Sequence, residues 1–272
     1  MEEIVFATYV TDNNWLEQRA KPLEASARFF HPEIPFKIFT PDEVIQLSKR
    51  CPYLPHAPHG CTKAIMGMEL AKDFENVVLL DADSLIVARL TEVIDFSYGL
   101  AGVRAFTDHG ALQHIPPEHP GIQAYEALHK REKHLNGGFL ACRDKSFWHS
   151  WDELNRLMVK DLFNWEEGTM NRLAYDKYKD SFLLLDPPEV PYYYGIAATW
   201  GTKTAWDSWG RIQLEDEKLY LENVYGVRKQ VKILHEAAHG QAGSPDGRFD
   251  LKRLFTKPVS SFLERISDHG NV

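Results

Sequence analysis

The run "NVVLLDADSLIV", Asn76 to Val87, is the feature that most narrows what this chain can become. Val77 to Leu80 are apolar without a break, whereas a strand with one wet face would alternate. Such a run predicts a strand covered on both sides, as in a mainly parallel sheet packed between helices. Two carboxylates, Asp81 and Asp83, follow at once. In open α/β sheets, ligands bind beyond the carboxyl ends of the strands. Carboxylates one residue apart point the same way on extended chain, and left unpaired they repel one another. Hard oxygen ligands with this spacing suit Mg²⁺ or Mn²⁺ shared with a substrate diphosphate. The plainer alternative is a pair of turn or capping aspartates.

The rest of the pattern points to the same α/β class. Glu3–Tyr9 and Phe36–Phe39 read as strands. Between them Leu16, Ala20, Leu23, Ala27 and Phe30 form a helical stripe, with Pro22 implying a kink or a fresh start. Thr62 is placed to cap a helix through "KAIMGMELAKDF". Tyr98–Val103, Gly137–Cys142, Ser181–Leu185 and Gln230–Leu234 are further strand candidates, with helices expected over 145–160, 166–176 and 248–266. Strands separated by helices predict a mainly parallel sheet with helices on both faces. Residues 104–135 and 192–209 are rich in His, Pro, Gly or aromatics and read as binding loops.

Bulk properties exclude several classes. A length of 272 residues fits one large α/β domain and allows a substantial core. No apolar run approaches the roughly 18 residues of a membrane span. The opening "MEEIVFATYV" goes straight into a strand and does not read as a secretory leader. Three cysteines (Cys51, Cys61 and Cys142) without close pairing suit a reducing, cytoplasmic setting and argue against a disulfide framework. A net charge of −8 disfavours nucleic acid and anionic membranes as partners. A phosphorylated substrate would then need local neutralisation, which a divalent cation supplies.

A competing signal lies near the end. "VKILHEAAHGQAG" contains His235-Glu236-x-x-His239, the two-histidine zinc signature, which needs both imidazoles on one helical face. The β-rich "QVKIL" puts His235 at a strand end instead, and Gly240, Gly243 and Pro245 leave little helix for His239. A zinc peptidase is therefore the weaker reading, and His239 is adequately explained as a loop histidine.

Taken in order, the segments resemble the GT-A fold glycosyltransferases, most closely glycosyltransferase family 8 (glycogenin-like and bacterial galactosyltransferase-like). The resemblance covers roughly residues 4–240. It rests on "CTKAIMGMELAKDFENVVLLDADSLIV", on "LNGGF" (Asn136–Phe139 with Leu135), on "EEGTMN" (Glu166–Asn171), on "PYYYG" (Pro191–Gly195), and on "KILH" ending at His235. It implies a mixed, mainly parallel sheet in a single domain over 1–272. A nucleotide-binding half would span about 1–103, an acceptor and metal-closing half about 104–247, and a C-terminal helix about 248–266.

What the family likeness implies can be placed residue by residue. Asp81, Asp83 and His235 would hold Mn²⁺ or Mg²⁺. Thr8, Tyr9, Lys63 and the Asp81–Ala82–Asp83 stretch would bind a nucleotide-sugar donor, a UDP-sugar. Asn136, Glu166 and Glu167 would act at the donor sugar, which passes to a saccharide or other hydroxyl acceptor with retention. Trp200, Trp206, Trp209 and Tyr192–Tyr194 could form an acceptor platform or simply pack, and His109, His114 and His119 read as solvated. Two departures stand out. Glu166-Glu167 replaces an Asp-Gln pair, so a true carboxylate nucleophile becomes available at 167. The family's terminal Lys-Pro-Trp is absent, and Arg248, Lys252, Arg253 and Lys257 are the cations left to replace its lysine. Sugar nucleotidyltransfer and non-catalytic nucleotide-sugar binding are the alternatives; the first usually shows a Gly-rich loop that "ATYVTDNNW" lacks.

Overall fold

The structure is a computed structural model that describes residues 2–51, 62–104, 135–158, 165–185, 192–194, 196–197, 211–222, 227–235 and 255–268. Strand β1 (Glu2–Tyr9) leads into α1 (Asn13–Trp15), one π-helical turn (Leu16–Ala20) and α2 (Lys21–Phe30). Pro22 stands in the first turn of α2 directly after the π-helical turn, on right-handed helical backbone that continues from Asn13, so the proline marks an irregular turn within a helical run rather than a fresh start. Then come β2 (Phe36–Phe39), α3 (Pro41–Ser48), α4 (Lys63–Leu70), β3 (Phe74–Leu80), β4 (Ser84–Ile86), α5 (Thr91–Asp95) and β5 (Leu100–Arg104). Thr62 occupies the N-cap of α4 but makes no side-chain capping bond, contrary to expectation.

The second half supplies β6 (Leu135–Cys142), α6 (Lys145–Met158), α7 (Trp165–Tyr175) and β7 (Phe182–Leu184). Short strands follow: β8 (Tyr192–Tyr193), β9 (Ile196–Ala197), β10 (Gln213–Glu215), β11 (Lys218–Glu222), β12 (Arg228–Val231) and β13 (Ile233–His235), before α8 (Lys257–Ser267). The single strand expected over Gln230–Leu234 is thus two, divided at Lys232 and belonging to different sheets. The β10–β11 hairpin has no glycine in its turn; Asp216 and Glu217 take φ of 47° and 63°, which is why no turn signal was visible.

The central sheet has six strands in the order β2-β1-β3-β6-β5-β7, mainly parallel with β6 running against its neighbours. Alternate residues of its strands feed two cores. Val5, Ala7, Val77, Leu79 and Leu140 pack with Phe147, Trp148 and Trp151 on one face. Phe6, Val78, Leu80, Phe139 and Ala141 pack with Leu23 and Ala27 of α2 on the other. Two dry faces explain the unbroken apolar run, since each fully buried side chain of this size stabilises by about 1.5–3 kcal/mol. A Cβ at Gly67 would lie 2.1 Å from the Trp148 ring, so only glycine lets α4 approach α6 this closely. A third core joins Leu85, Val231 and Leu234 to Val259, Phe262, Leu263 and Ile266 of α8.

Candidate functional site

The direction of β6 organises the site. Because β6 is antiparallel to β3, its early residues lie at the carboxyl end of β3, with Leu80 opposite Phe139. Asp81 extends the ladder by one rung, its N–H donating to the Gly138 carbonyl at 2.9 Å. On the far side β13 runs antiparallel to β4, which sets His235 opposite Ser84. Three chain segments distant in sequence therefore end side by side.

His235 Nε2 lies 3.2 Å from Asp83 Oδ1 and 3.6 Å from Asp81 Oδ2. One ligand atom from each residue falls within 4.8 Å of the others. Ligands at right angles around a small divalent ion stand about 3 Å apart, given bonds near 2.1 Å. The spacing and the mixed oxygen–nitrogen donor set thus fit such an ion. Burial by itself would push the His235 imidazole down; Asp83, its hydrogen bond and Asp81 outweigh that and hold it above its ordinary value, with Lys63 opposing. His235 closes a β-strand, so the helical geometry that a His-x-x-x-His zinc site needs is absent at its first histidine. Glu236 and His239 lie outside the described residues.

Lys63 is buried at the first residue of α4, where a cation has the wrong sign for the helix dipole. Its Nζ instead sits 2.8 Å from Asp81 Oδ1 and donates to the Gly137 carbonyl at 2.8 Å. It also lies 5.7 Å above the Tyr9 ring. At the other end of the same residue, the Gly137 N–H donates to Glu167 Oε1 at 2.6 Å. One residue of backbone therefore couples the lysine on the Asp-x-Asp carboxylate to Glu167 in the first turn of α7.

No family model matches the sequence, and no curated protein does. Solved structures do match. The bifunctional glycosyltransferase WbbM in its apo form aligns over 98% of this chain at TM-score 0.57 and 14% identity, and this chain spans 50% of that one. The galactosyltransferase LgtC, solved with donor and acceptor sugar analogues, aligns over 97% of this chain and 95% of its own at TM-score 0.52 and 13% identity. GlyE of Streptococcus pneumoniae TIGR4 aligns over 98% of this chain and 61% of its own, at TM-score 0.53 and 13% identity. The fold is that of the GT-A glycosyltransferases.

On this GT-A sheet the other sequence-derived residues can be located. Asn136 folds back on its own backbone, its Oδ1 accepting from the Gly138 N–H at 2.8 Å. Thr8 is 1% exposed at the end of β1, and its Oγ1 has no hydrogen-bond partner among the described residues. Ala82 is buried with Val10 and Ala20, with Trp15 packed against them. The side chain of Glu166, the loops holding His109, His114, His119, Trp200, Trp206 and Trp209, and Arg248, Lys252 and Arg253 lie outside the described residues. Lys257 is exposed in the first turn of α8.

Sequence reasoning missed two supports. Asn171 is fully buried and clasps Leu135 from both sides, accepting its N–H at 2.7 Å and donating to its carbonyl at 3.1 Å. It donates also to the Glu167 carbonyl at 2.7 Å, so it docks α7 onto the start of β6. Gly138 was visible only as part of "LNGGF"; its reason is steric, because a Cβ there would strike His235.

Proposed function

We propose that this chain is a divalent-metal-dependent glycosyltransferase that moves a sugar from a nucleotide-diphosphate donor to an acceptor hydroxyl. The observation that carries this reading is the convergence of Asp81, Asp83 and His235 at the carboxyl edge of a GT-A sheet. A cation held by these three groups supplies Lewis acidity and neutralises charge on the departing diphosphate. The chain's own groups do the rest. Lys63 fixes the orientation of Asp81 and adds positive charge beside the phosphates. Thr8 and Tyr9, at the end of β1, receive the nucleotide.

Asn136 and Glu167 face the donor sugar from the β6–α7 side. Holding the donor against the acceptor hydroxyl converts an encounter into a positioned reaction, a large share of the rate in such chemistry. Glu167, a carboxylate where the resembling family has an amide, can stabilise positive charge developing at the sugar carbon. UDP as the donor nucleotide, and retention at that carbon, follow from the family resemblance.

The decisive measurement is release of nucleoside diphosphate from a panel of UDP-sugars without acceptor. It should require Mn²⁺ or Mg²⁺ and fall at least 100-fold in Asp83→Asn and His235→Ala. Turnover untouched by chelator, or by either substitution, refutes the metal-dependent reading.

A further inference from the structure

Among the described residues, the strand that carries His235 has a short ladder. β13 makes three residue pairs with β4 and two with β9, and a slip of one residue would turn His235 to the opposite face. Burial of Ile233 and Leu234 in different cores opposes such a slip, and a buried polar cluster lies beside them.

Residues 192–193 and 196–197 run parallel to 230–231 and 234–235, with Tyr192 opposite Gln230, Tyr193 opposite Val231, Ile196 opposite Leu234 and Ala197 opposite His235. Between these pairs the same offset sets Tyr194 against Lys232. Both side chains are buried there, and both reach Glu92, itself 7% exposed near the start of α5. The Tyr194 hydroxyl donates to Glu92 Oε2. Lys232 Nζ lies 3.9 Å from the same oxygen and donates to the Arg89 carbonyl at 2.6 Å. The Lys232 carbonyl in turn accepts from the Val87 N–H at 2.9 Å. Arg89 and Glu92 follow β4, the strand that leaves Asp83.

A buried ion pair adds little net stability compared with apolar groups of the same shape. It is strongly selective of register, because a slip would leave a charge buried without its partner. We infer that Glu92, Tyr194 and Lys232 form a register pin that positions His235 against Asp81 and Asp83 and holds segment 192–197 beside it. These are positioning residues; none touches the three ligand groups. The inference rests on the proposed metal site for its functional consequence, but not for its geometry.

The test uses the combined variant Glu92→Leu, Lys232→Met, Tyr194→Phe, which removes every partner at once and so leaves no orphaned charge. Its melting temperature should stay within a few degrees of wild type. Its Mn²⁺ affinity, read by electron paramagnetic resonance with the metal alone, should fall about 10-fold or more, the usual effect of losing groups that orient a ligand. A merely structural trio would lower the melting temperature and leave the affinity of the folded protein alone. Affinity within twofold of wild type overturns the pin.

If the combined variant does not fold, Tyr194→Phe alone decides: a loss of threefold or more supports the pin and an unchanged affinity overturns it. Should wild type bind no Mn²⁺, the metal reading fails by itself. Amide exchange at Leu234 and His235 then judges the pin, with protection lost in the variant supporting it and protection retained overturning it.

Discussion

The His235 imidazole fills the space that a side chain at Gly138 would need: a Cβ there would lie 2.2 Å from Cε1 and 2.7 Å from Nδ1. Backbone of β6 and ring of β13 are thus in direct contact behind the ligand face. Gly138→Ala must move one of them. The expected result is a fall in Mn²⁺ affinity of about 10–100-fold, with a stability loss of about 1–3 kcal/mol from overpacking. Gly137→Ala is the informative contrast. Its Cβ would meet Glu167 Cγ at 2.9 Å, the movable part of a longer side chain. That variant should keep its Mn²⁺ affinity and lose donor turnover; calorimetric metal titration beside a turnover assay separates the two.

Lys63 neutralises Asp81 and satisfies the Gly137 carbonyl. Lys63→Met leaves a carbonyl and a partly buried carboxylate without their cation, at about 1–3 kcal/mol. A divalent ion can then take over the neutralisation of Asp81. The upward shift in melting temperature on adding Mn²⁺ should therefore be larger in Lys63→Met than in wild type. An equal or smaller shift would mean that the lysine does not act on the carboxylate.

Asn171 supplies an acceptor to one backbone group of Leu135 and donors to two carbonyls. Asn171→Asp keeps the shape but turns two donor contacts into oxygen facing oxygen. The Leu135 carbonyl loses its side-chain donor, and the new buried carboxylate is set against two carbonyl oxygens, so the variant should lose at least about 2 kcal/mol in urea unfolding. Asn171→Leu, lacking the repulsion, should lose less.

His31 gives the protein an acid limit. Its ring is fully buried, edge-on to Phe6, and its Nε2 accepts the Leu90 N–H at 2.9 Å. Burial, then the nearby Arg89 and Lys232, push it down to about 4 against an unfolded value of 6.5, with Glu33 opposing. Below pH 6.5 the unfolded chain binds a proton that the folded chain refuses, so stability falls as pH drops. The slope is about 1.4 kcal/mol per pH unit, flattening near pH 4 with a total loss of about 3 kcal/mol. Denaturant melts between pH 7 and 4 should show this slope in wild type and lose most of it in His31→Gln, whose side-chain oxygen can still accept from Leu90.

Much of the frame was legible because its signals are local. The apolar run before Asp81 reports a strand dry on both faces, and Val5, Ala7, Phe6, Val77 and Val78 do divide between two cores. Pro22 reports the irregular, π-helical turn before α2. The break at Lys232 was not legible as a break, although a lysine inside "QVKIL" was itself a signal. A charge amid strand residues has to find a partner, and which partner depends on α5 and segment 192–197. The Asp216-Glu217 turn escaped because its left-handed backbone is imposed by the hairpin rather than favoured by those residues.

By itself the sequence determined which groups are available: an Asp-x-Asp at a strand end, a histidine closing another strand, a lysine opening a helix, and two adjacent glycines. It could not determine which oxygen faces which nitrogen. Only the tertiary structure decided that β6 runs antiparallel to β3, that β13 lies against β4, and that Lys63 is turned onto Asp81. Secondary-structure preference acts over a few neighbouring residues, whereas these contacts join positions far apart in the chain. They are selected by the burial of whole faces and by the need to pair each charge taken out of water.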